Sequence, residues 1–311
     1  MFKERNSYTI FTSNLNSKMM KKSSAFTILF SFLFACFAAY GFCDKNKEAI
    51  EYRKNGYINW TTGLVQTKGV GIPLKKSSGN SSVSNMKVLS DSKNDARHNM
   101  MKTIKDVRIN SVKKAGNYAT INNSVAKQLE EIILKAQENE KMRKYMSDGT
   151  VEVYLQLSLY GGFAQLFLPQ EIKQIESIKQ VAIRGKKSSS QPSKISHLKN
   201  YTGLVVDATG ISVNPAMAPR LVDEDGKEVY GAAFASREFA VQKGMSGYSK
   251  DIKTAKTCPR VGTNPLSVKG LRTTGLGNCD IVISNADASI LRNSSEHLAF
   301  LKKCLVIIVL D

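Results

Sequence analysis

Three histidines (His98, His197, His297) and five cysteines (Cys36, Cys43, Cys258, Cys279, Cys304) are the side chains of this 311-residue chain best suited to metal binding or nucleophilic chemistry. Their spacing supports neither. No Cys-x-x-Cys pair and no Cys/His cluster has the spacing of a metal site. Each histidine stands alone, and no Gly-x-Ser-x-Gly elbow presents a serine. Asp207, Asp223, Glu224 and Asp225 could in principle hold a calcium ion. However, Asp-Glu-Asp-Gly lacks the spacing of a calcium loop and reads as a turn with solvated acids. The stretch from Gly244 to Gly277 is rich in Gly, Lys, Thr and Ser. It has no glycine-rich phosphate loop between a strand and a helix, so it offers no nucleotide site. The residues therefore point to a protein that is not an enzyme and that uses no cofactor or metal.

The cysteines carry a different chemistry if the chain leaves the cytoplasm. Cys258 and Cys279 lie 21 residues apart in loop-like sequence and are the expected disulfide in an oxidising compartment. Closing a loop of that length would contribute about 3 kcal/mol by the chain-entropy account. Cys304, inside Cys-Leu-Val-Ile-Ile-Val-Leu, reads as a small buried apolar residue.

Export is what Phe26–Phe42 suggests. This uncharged run follows Lys21-Lys22 and ends in small residues, the layout of a secretory signal. Ala39 and Gly41 fit the −3 and −1 positions, so cleavage between Gly41 and Phe42 is expected. Met19 or Met20 is the expected functional start. Two alternatives stand beside this one. One is an uncleaved membrane anchor, for which the run is short against the roughly 20 residues of a spanning helix. The other is lipidation at Cys36, preceded by Leu33-Phe34-Ala35. Residues 1–41 hold five basic side chains and one acid, so removing them lowers the net charge from +19 to +15. The basic residues are scattered among Ser, Asn and Gly without the interleaved aromatics of a base-stacking surface. An exported basic protein would meet anionic lipid or cell-wall polymer, not nucleic acid.

The elements behind these residues form two blocks, giving an α+β protein. Residues 1–41 are the extension and signal, 42–170 a two-layer domain of sheet and helices, 171–199 a linker, and 200–311 a second, smaller mixed α/β domain. In the first block, Tyr57–Thr67 reads as one strand and Asp91–Lys105 as a helix. Val107, Ile109 and Val112 alternate as a short strand. Ile121, Val125, Leu129, Ile132, Ile133 and Ala136 recur at helical spacing. A hairpin then joins Met142–Met146 to Val151–Tyr160 through Ser147-Asp148-Gly149. Val151, Val153, Leu155, Leu157 and Leu159 form its buried face. Tyr154 and Tyr160 lie on the other face and are the candidate interface residues, because aromatics on a polar sheet face favour contact with partners. The linker's Gly185–Lys194 has no apolar residue, and trypsin is expected to cut first within Arg184–Lys194.

In the second block, Gly203–Ala208 is a buried strand and Leu221–Tyr230 a hairpin turning at Asp225-Gly226. Ser236 opens a helix that stops at Gly244. Asp280–Ile283 is a strand, Ser284 or Asn285 caps the next helix, and Leu298–Lys302 is helical. Cys304–Leu310 should be a central strand covered on both faces.

The passages NDARHNMMKTIKDVRI and YMSDGTVEVYLQLSL, with NWTTGLVQTKGVG ahead of them, make residues 57–169 resemble the Lpp-twenty lipoprotein family. YTGLVVDATG, PAMAPRLVDEDGKEVYG and LKKCLVIIVLD resemble a C-terminal extension found on exported bacterial proteins. The resemblance implies a non-enzymatic module of the bacterial envelope, outer-membrane-associated or belonging to the flagellar basal disk. This chain lacks the good lipobox of that family. The expected function is therefore a structural or assembly protein of the periplasm or outer membrane that associates with other envelope proteins or with itself. The alternative is a binding module for an anionic envelope polymer or lipid.

Overall fold

The computed structural model describes residues 47–73, 81–172 and 201–311, with backbone alone for 81–84. The signal segment, with Cys36, Gly41, Phe42 and Cys43, lies outside the described residues, as do the trypsin sites of the linker. The fold is α+β, with an N-terminal domain and a second domain that begins at residue 203. Residues 45–311 form one compact unit that contains both.

The first domain is built on an antiparallel sheet. Its strands are β1 (Ile50–Arg53), β2 (Gly56–Asn59), β3 (Leu64–Gly71), β4 (Gln137–Glu138), β5 (Lys144–Tyr145) and β6 (Val151–Ser158). The order across the sheet is β1-β2-β3-β6, with the two-residue strands β4 and β5 both against the outer edge of β6. The alternation in β6 holds: Val151, Val153, Leu155, Leu157 and Leu159 are all buried. Helix α1 (Ser81–Lys105) covers that inner face with Val88, Ala96, Met100 and Ile104. It is docked by polar side chains as well as apolar ones. Asp95 accepts from the Val70 N–H at 2.9 Å, and Asn99 donates to the Lys68 carbonyl at 2.9 Å.

Several elements differ from the expectation. Tyr57–Thr67 is two strands, because the chain reverses at Trp60–Gly63, where Gly63 adopts φ +66. Val107–Val112 forms no strand but a loop with an isolated bridge between Arg108 and Lys114. The long helix is broken into α2 (Ala115–Ile121) and α3 (Asn123–Leu134), and Ile121 is exposed, not buried. Asn122 causes the break. It ends α2 in an extended conformation, and its side chain caps α3 by accepting from Ser124 N–H and Val125 N–H. Helix α4 (Gly162–Phe167) then buries Phe163 and Phe167.

The second domain has a seven-stranded mixed sheet, order β10-β13-β7-β11-β12-β8-β9. The strands are β7 (Gly203–Asp207), β8 (Leu221–Val222), β9 (Glu228–Tyr230), β10 (Gly247–Ser249), β11 (Pro265–Thr274), β12 (Asp280–Ile283) and β13 (Val306–Val309). β10, β13, β7 and β11 run parallel. As expected, β13 is central and covered on both faces. Val306 and Ile308 join the main core, whereas Ile307 and Val309 pack with Val205, Ala255 and Val261. Helices α5 (Arg237–Lys243), α6 (Ile252–Thr257), α7 (Asn285–Arg292) and α8 (Ser295–Lys302) complete the domain. Ser284 caps α7 as expected, accepting from Asp287 N–H.

One core runs through both domains, and the seam between them is hydrogen-bonded. Met217 N–H and Ala218 N–H donate to the carbonyls of Arg108 and Ile109 at 3.0 and 2.7 Å. Ser111 donates to the fully buried Asp280 at 2.7 Å. Arg237 donates to the carbonyls of Pro169 and Gln165. The loop that failed to form a strand is thus one of the parts of the first domain that plug into the second.

Candidate interaction site

The outer face of the first sheet is the surface that the sequence singled out. Its residues are set by register. Tyr52 lies opposite Tyr57, Tyr57 opposite Gln66, and Gln66 opposite Gln156, while Lys68 lies opposite Tyr154. Among the described residues no helix covers this face as α1 covers the other. Tyr52 and Tyr57 meet edge-on at 6.2 Å, and Gln156 donates to Gln66 at 2.7 Å. Lys68 pairs with Glu152 at 2.9 Å, and the Tyr154 hydroxyl donates to the same carboxylate at 3.2 Å. Lys54, Asn55, Tyr57, Lys68 and Tyr154 surround a shallow groove of about 210 Å³. Tyr52 is 75% exposed and Tyr154 half-buried. Aromatic rings, amides and ammonium groups at one surface can stack on and hydrogen-bond to a partner.

Tyr160 does not share this face. A Cβ on Gly63 would overlap its ring, and a Cβ on Gly244 would press on its other side. Tyr160 is therefore clamped at the seam between the domains, and burial pushes its hydroxyl pKa up against the opposing charge of Arg260. The second domain of the same chain covers it.

The other predicted residues fall in separate places. Cys258, Cys279 and Cys304 are free thiols. Cys258 packs beside Val205 and Ile307 on one face of the parallel sheet. Cys279 instead lies near Arg108 at the seam, where burial pushes its pKa up to about 11. No disulfide joins them in this structure. Asp223 is buried, accepts from the N–H groups of Asp225 and Lys227, and pairs with Arg292 at 2.7 Å. The acidic turn is therefore a structural brace. His98 is exposed, and His297 is buried with Nδ1 2.8 Å from the Ile290 carbonyl oxygen. Among the described residues no His, Cys, Asp and Glu side chains gather into a possible metal site, and no helix is long and apolar enough to cross a membrane.

Sequence reasoning missed a second concavity. A cleft of about 340 Å³ lies between β1 and the second domain, lined by Glu51, Trp60, Arg108, Asn214, Lys250 and Asp311 among others. Glu51 is its electrostatic centre. It accepts from Arg53 and Arg108, both at 2.6 Å, and from Trp60 Nε1 at 3.1 Å. Burial alone would raise its pKa, but these hydrogen bonds and the Arg108 charge hold it below the usual carboxylate value. For Asp223, burial again opposes and the Arg292 bond prevails, so its pKa too is lowered.

A lowered native pKa gives stability that is present above the unfolded value and is lost as the pH falls through the native one. Unfolded carboxylates titrate near about 4. The melting temperature should accordingly stay flat from neutral pH to about 5 and fall below about 4. Arg108→Met should make that fall shallower. Calorimetry across this range is the check, and a melting temperature that rises on acidification would contradict the assignment.

A family model described as the second domain of Treponema pallidum Tp0624 matches residues 203–311, about a third of the chain. No curated protein matches. The match overturns the Lpp-twenty resemblance, which finds no counterpart. The residues that carried that resemblance specify a helix, a loop and a hairpin, and the helix-to-strand passage at Val107–Ile109 does not exist as a strand. The domain boundary at residue 203 and the similarity coincide.

Proposed function

We propose that the protein is a non-enzymatic, exported component of the bacterial cell envelope that works by association, either with other envelope proteins or with itself. The observation that carries this reading is the outer face of the first sheet, where Tyr57, Lys68 and Tyr154 line a groove and Tyr52 stands exposed beside Tyr57, with no covering element among the described residues. The apolar, uncharged run at Phe26–Phe42 supports export. Tyr154→Glu places a second carboxylate beside Glu152 on that face and leaves the Val151–Leu159 stripe untouched. The variant should melt within a few degrees of the parent yet lose self-association or capture of envelope partners. Circular dichroism reads the first property and light scattering the second. An unfolded variant would place Tyr154 in the core. Folding with unchanged association would remove this face as the interface.

A second reading, binding to an anionic envelope polymer or lipid, is favoured by the cations around α5. Arg260 donates to the carbonyls of Cys304, Lys243 and Gly244 and, among the described residues, to no carboxylate. Burial, then the charges of Arg260 and Lys303, hold the Lys243 pKa down. Binding there should weaken steeply with salt, whereas association through the sheet face should persist.

A further inference from the structure

The cleft between the domains opens onto the edge of β1 that pairs with no strand among the described residues. Trp60 N–H donates to the Ala49 carbonyl at 2.8 Å, and Ile50 stands opposite Asn59. In an antiparallel ladder this makes Ile50–Asn59 a non-hydrogen-bonded pair, so the N–H and C=O of Ile50 point away from β2. By alternation those of Tyr52 do the same. The Tyr52 carbonyl accepts from the Arg53 guanidinium at 3.1 Å. The Ile50 N–H, the Ile50 C=O and the Tyr52 N–H have no partner among the described residues. Ala49, Ile50 and Glu51 all line the cleft. Ala49 immediately precedes β1, and the successive strand residues Ile50 and Glu51 point to opposite faces, so both line the cleft because it runs along the strand's edge. The facing wall, Ser212–Pro215, is also a run of consecutive residues, with Ser212 in the left-handed region at φ +51. The floor is closed by Leu310 and Asp311 at the carboxyl end of β13, a common place for ligands in parallel sheets.

We propose that this cleft binds an extended peptide segment of a partner protein, which adds to β1 as a further strand. The Ile50 N–H and C=O lie in the cleft and the Tyr52 N–H continues the same edge just past its lining. Groups at the two-residue spacing of a strand match a backbone running out of the cleft and favour a peptide over a compact small molecule. The facing wall favours a single strand over a second folded copy, since about 340 Å³ holds a few extended residues and no domain. Charges of both signs, Lys250 and Arg108 against Glu51 and Asp311, flank the path. This edge meets the Tyr154 face only at Tyr52, and the tests at Ile50 and Tyr154 let either surface fail without the other.

The test selects a random nine-residue display library on the full-length protein. The enriched peptide is then titrated by the emission of Trp60, the chain's only tryptophan and a residue of the cleft wall. Ile50→Pro removes one unmet N–H at the first residue of an edge strand, where proline is tolerated, and should weaken binding at least tenfold. N-methylation of alternate peptide residues should abolish binding in one parity and spare it in the other. This series needs only the wild-type protein, so it decides the matter even if Ile50→Pro fails to fold. The proposal is overturned if no peptide is enriched, if the parity of methylation makes no difference, or if binding survives Ile50→Pro. Binding that is lost in Tyr154→Glu but kept in Ile50→Pro would overturn the cleft and place the peptide on the sheet face.

Discussion

Replacing Gly69 with alanine should destabilise the protein by about 3 kcal/mol, at the upper end of overpacking substitutions. The reason lies in how closely β3 and α1 approach. A Cβ on Gly69 would overlap the Ser92 carbonyl oxygen and the Ala96 amide nitrogen, and a Cβ on Gly71 would overlap the Val88 carbonyl oxygen. These are backbone atoms of one helix, so they cannot swing aside as a side chain can. Alanine at either position must push α1 off the sheet. That would stretch the Asp95 and Asn99 hydrogen bonds to β3 and open the core over Val65 and Val153. Val70 between them is partly exposed and should accept alanine with less than about 1 kcal/mol of loss, as partly exposed substitutions usually do. Denaturant unfolding of the three variants is the check. Equal stability of Gly69→Ala and Val70→Ala would show that helix and strand do not need this contact.

Arg220→Met should cost about 2–3 kcal/mol, below the range for a fully buried ion pair, because Asp280 is wholly buried while the Arg220 side chain is 47% exposed and partly screened by water. Arg220 donates twice to Asp280, at 3.0 and 2.6 Å, and the Asp280 side chain is wholly inaccessible. Ser111 supplies a further hydrogen bond from the first domain, and Gly275 and Gly277 fit closely over it. Removing the guanidinium leaves a carboxylate sealed at the seam with the Ser111 hydroxyl and the Arg220 amide as donors. Asp280→Asn in the same background should restore part of the loss, because it removes the unpaired charge and keeps the shape. Thermal melts of the single and double variants measure this directly. A double variant no more stable than Arg220→Met would mean that the charge is not what costs.

Much of the fold was legible because local pattern and global burial agree. The alternation of Val151–Leu159 and the apolar run at Val306–Val309 each named the faces they bury. Gly244 and Ser284 ended and opened their helices as their chemistry requires. The failures came where one residue overrules a pattern. Asn122 cuts a run of apolar spacing into two helices, and Asn122-Asn123-Ser124 is a cap signal that could have been weighed against the periodicity. Gly63 folds an apparent single strand into a hairpin. β11 was missed because the exposed Ser267 and Lys269 make it look like loop, although Leu266, Val268 and Gly270 alternate with them before a bulge at Gly270–Arg272. Tyr154 was placed correctly off the core stripe. Tyr160 shares its parity, but the glycines that clamp it are Gly63 and Gly244, and no local signal connects positions so far apart. The cleft was illegible for the same reason, since it is assembled from β1, residues 212–215 and the end of β13.

The central claim, that the outer face of the first sheet is an association surface of an exported protein, is tested most directly by photo-crosslinking in living cells. A benzophenone side chain would replace Tyr154, with one at the seam residue Tyr160 as control. The account predicts adducts of higher mass in the envelope fraction from position 154 and none from position 160. Monomer alone at position 154, in cells whose position-160 control behaves identically, would contradict it.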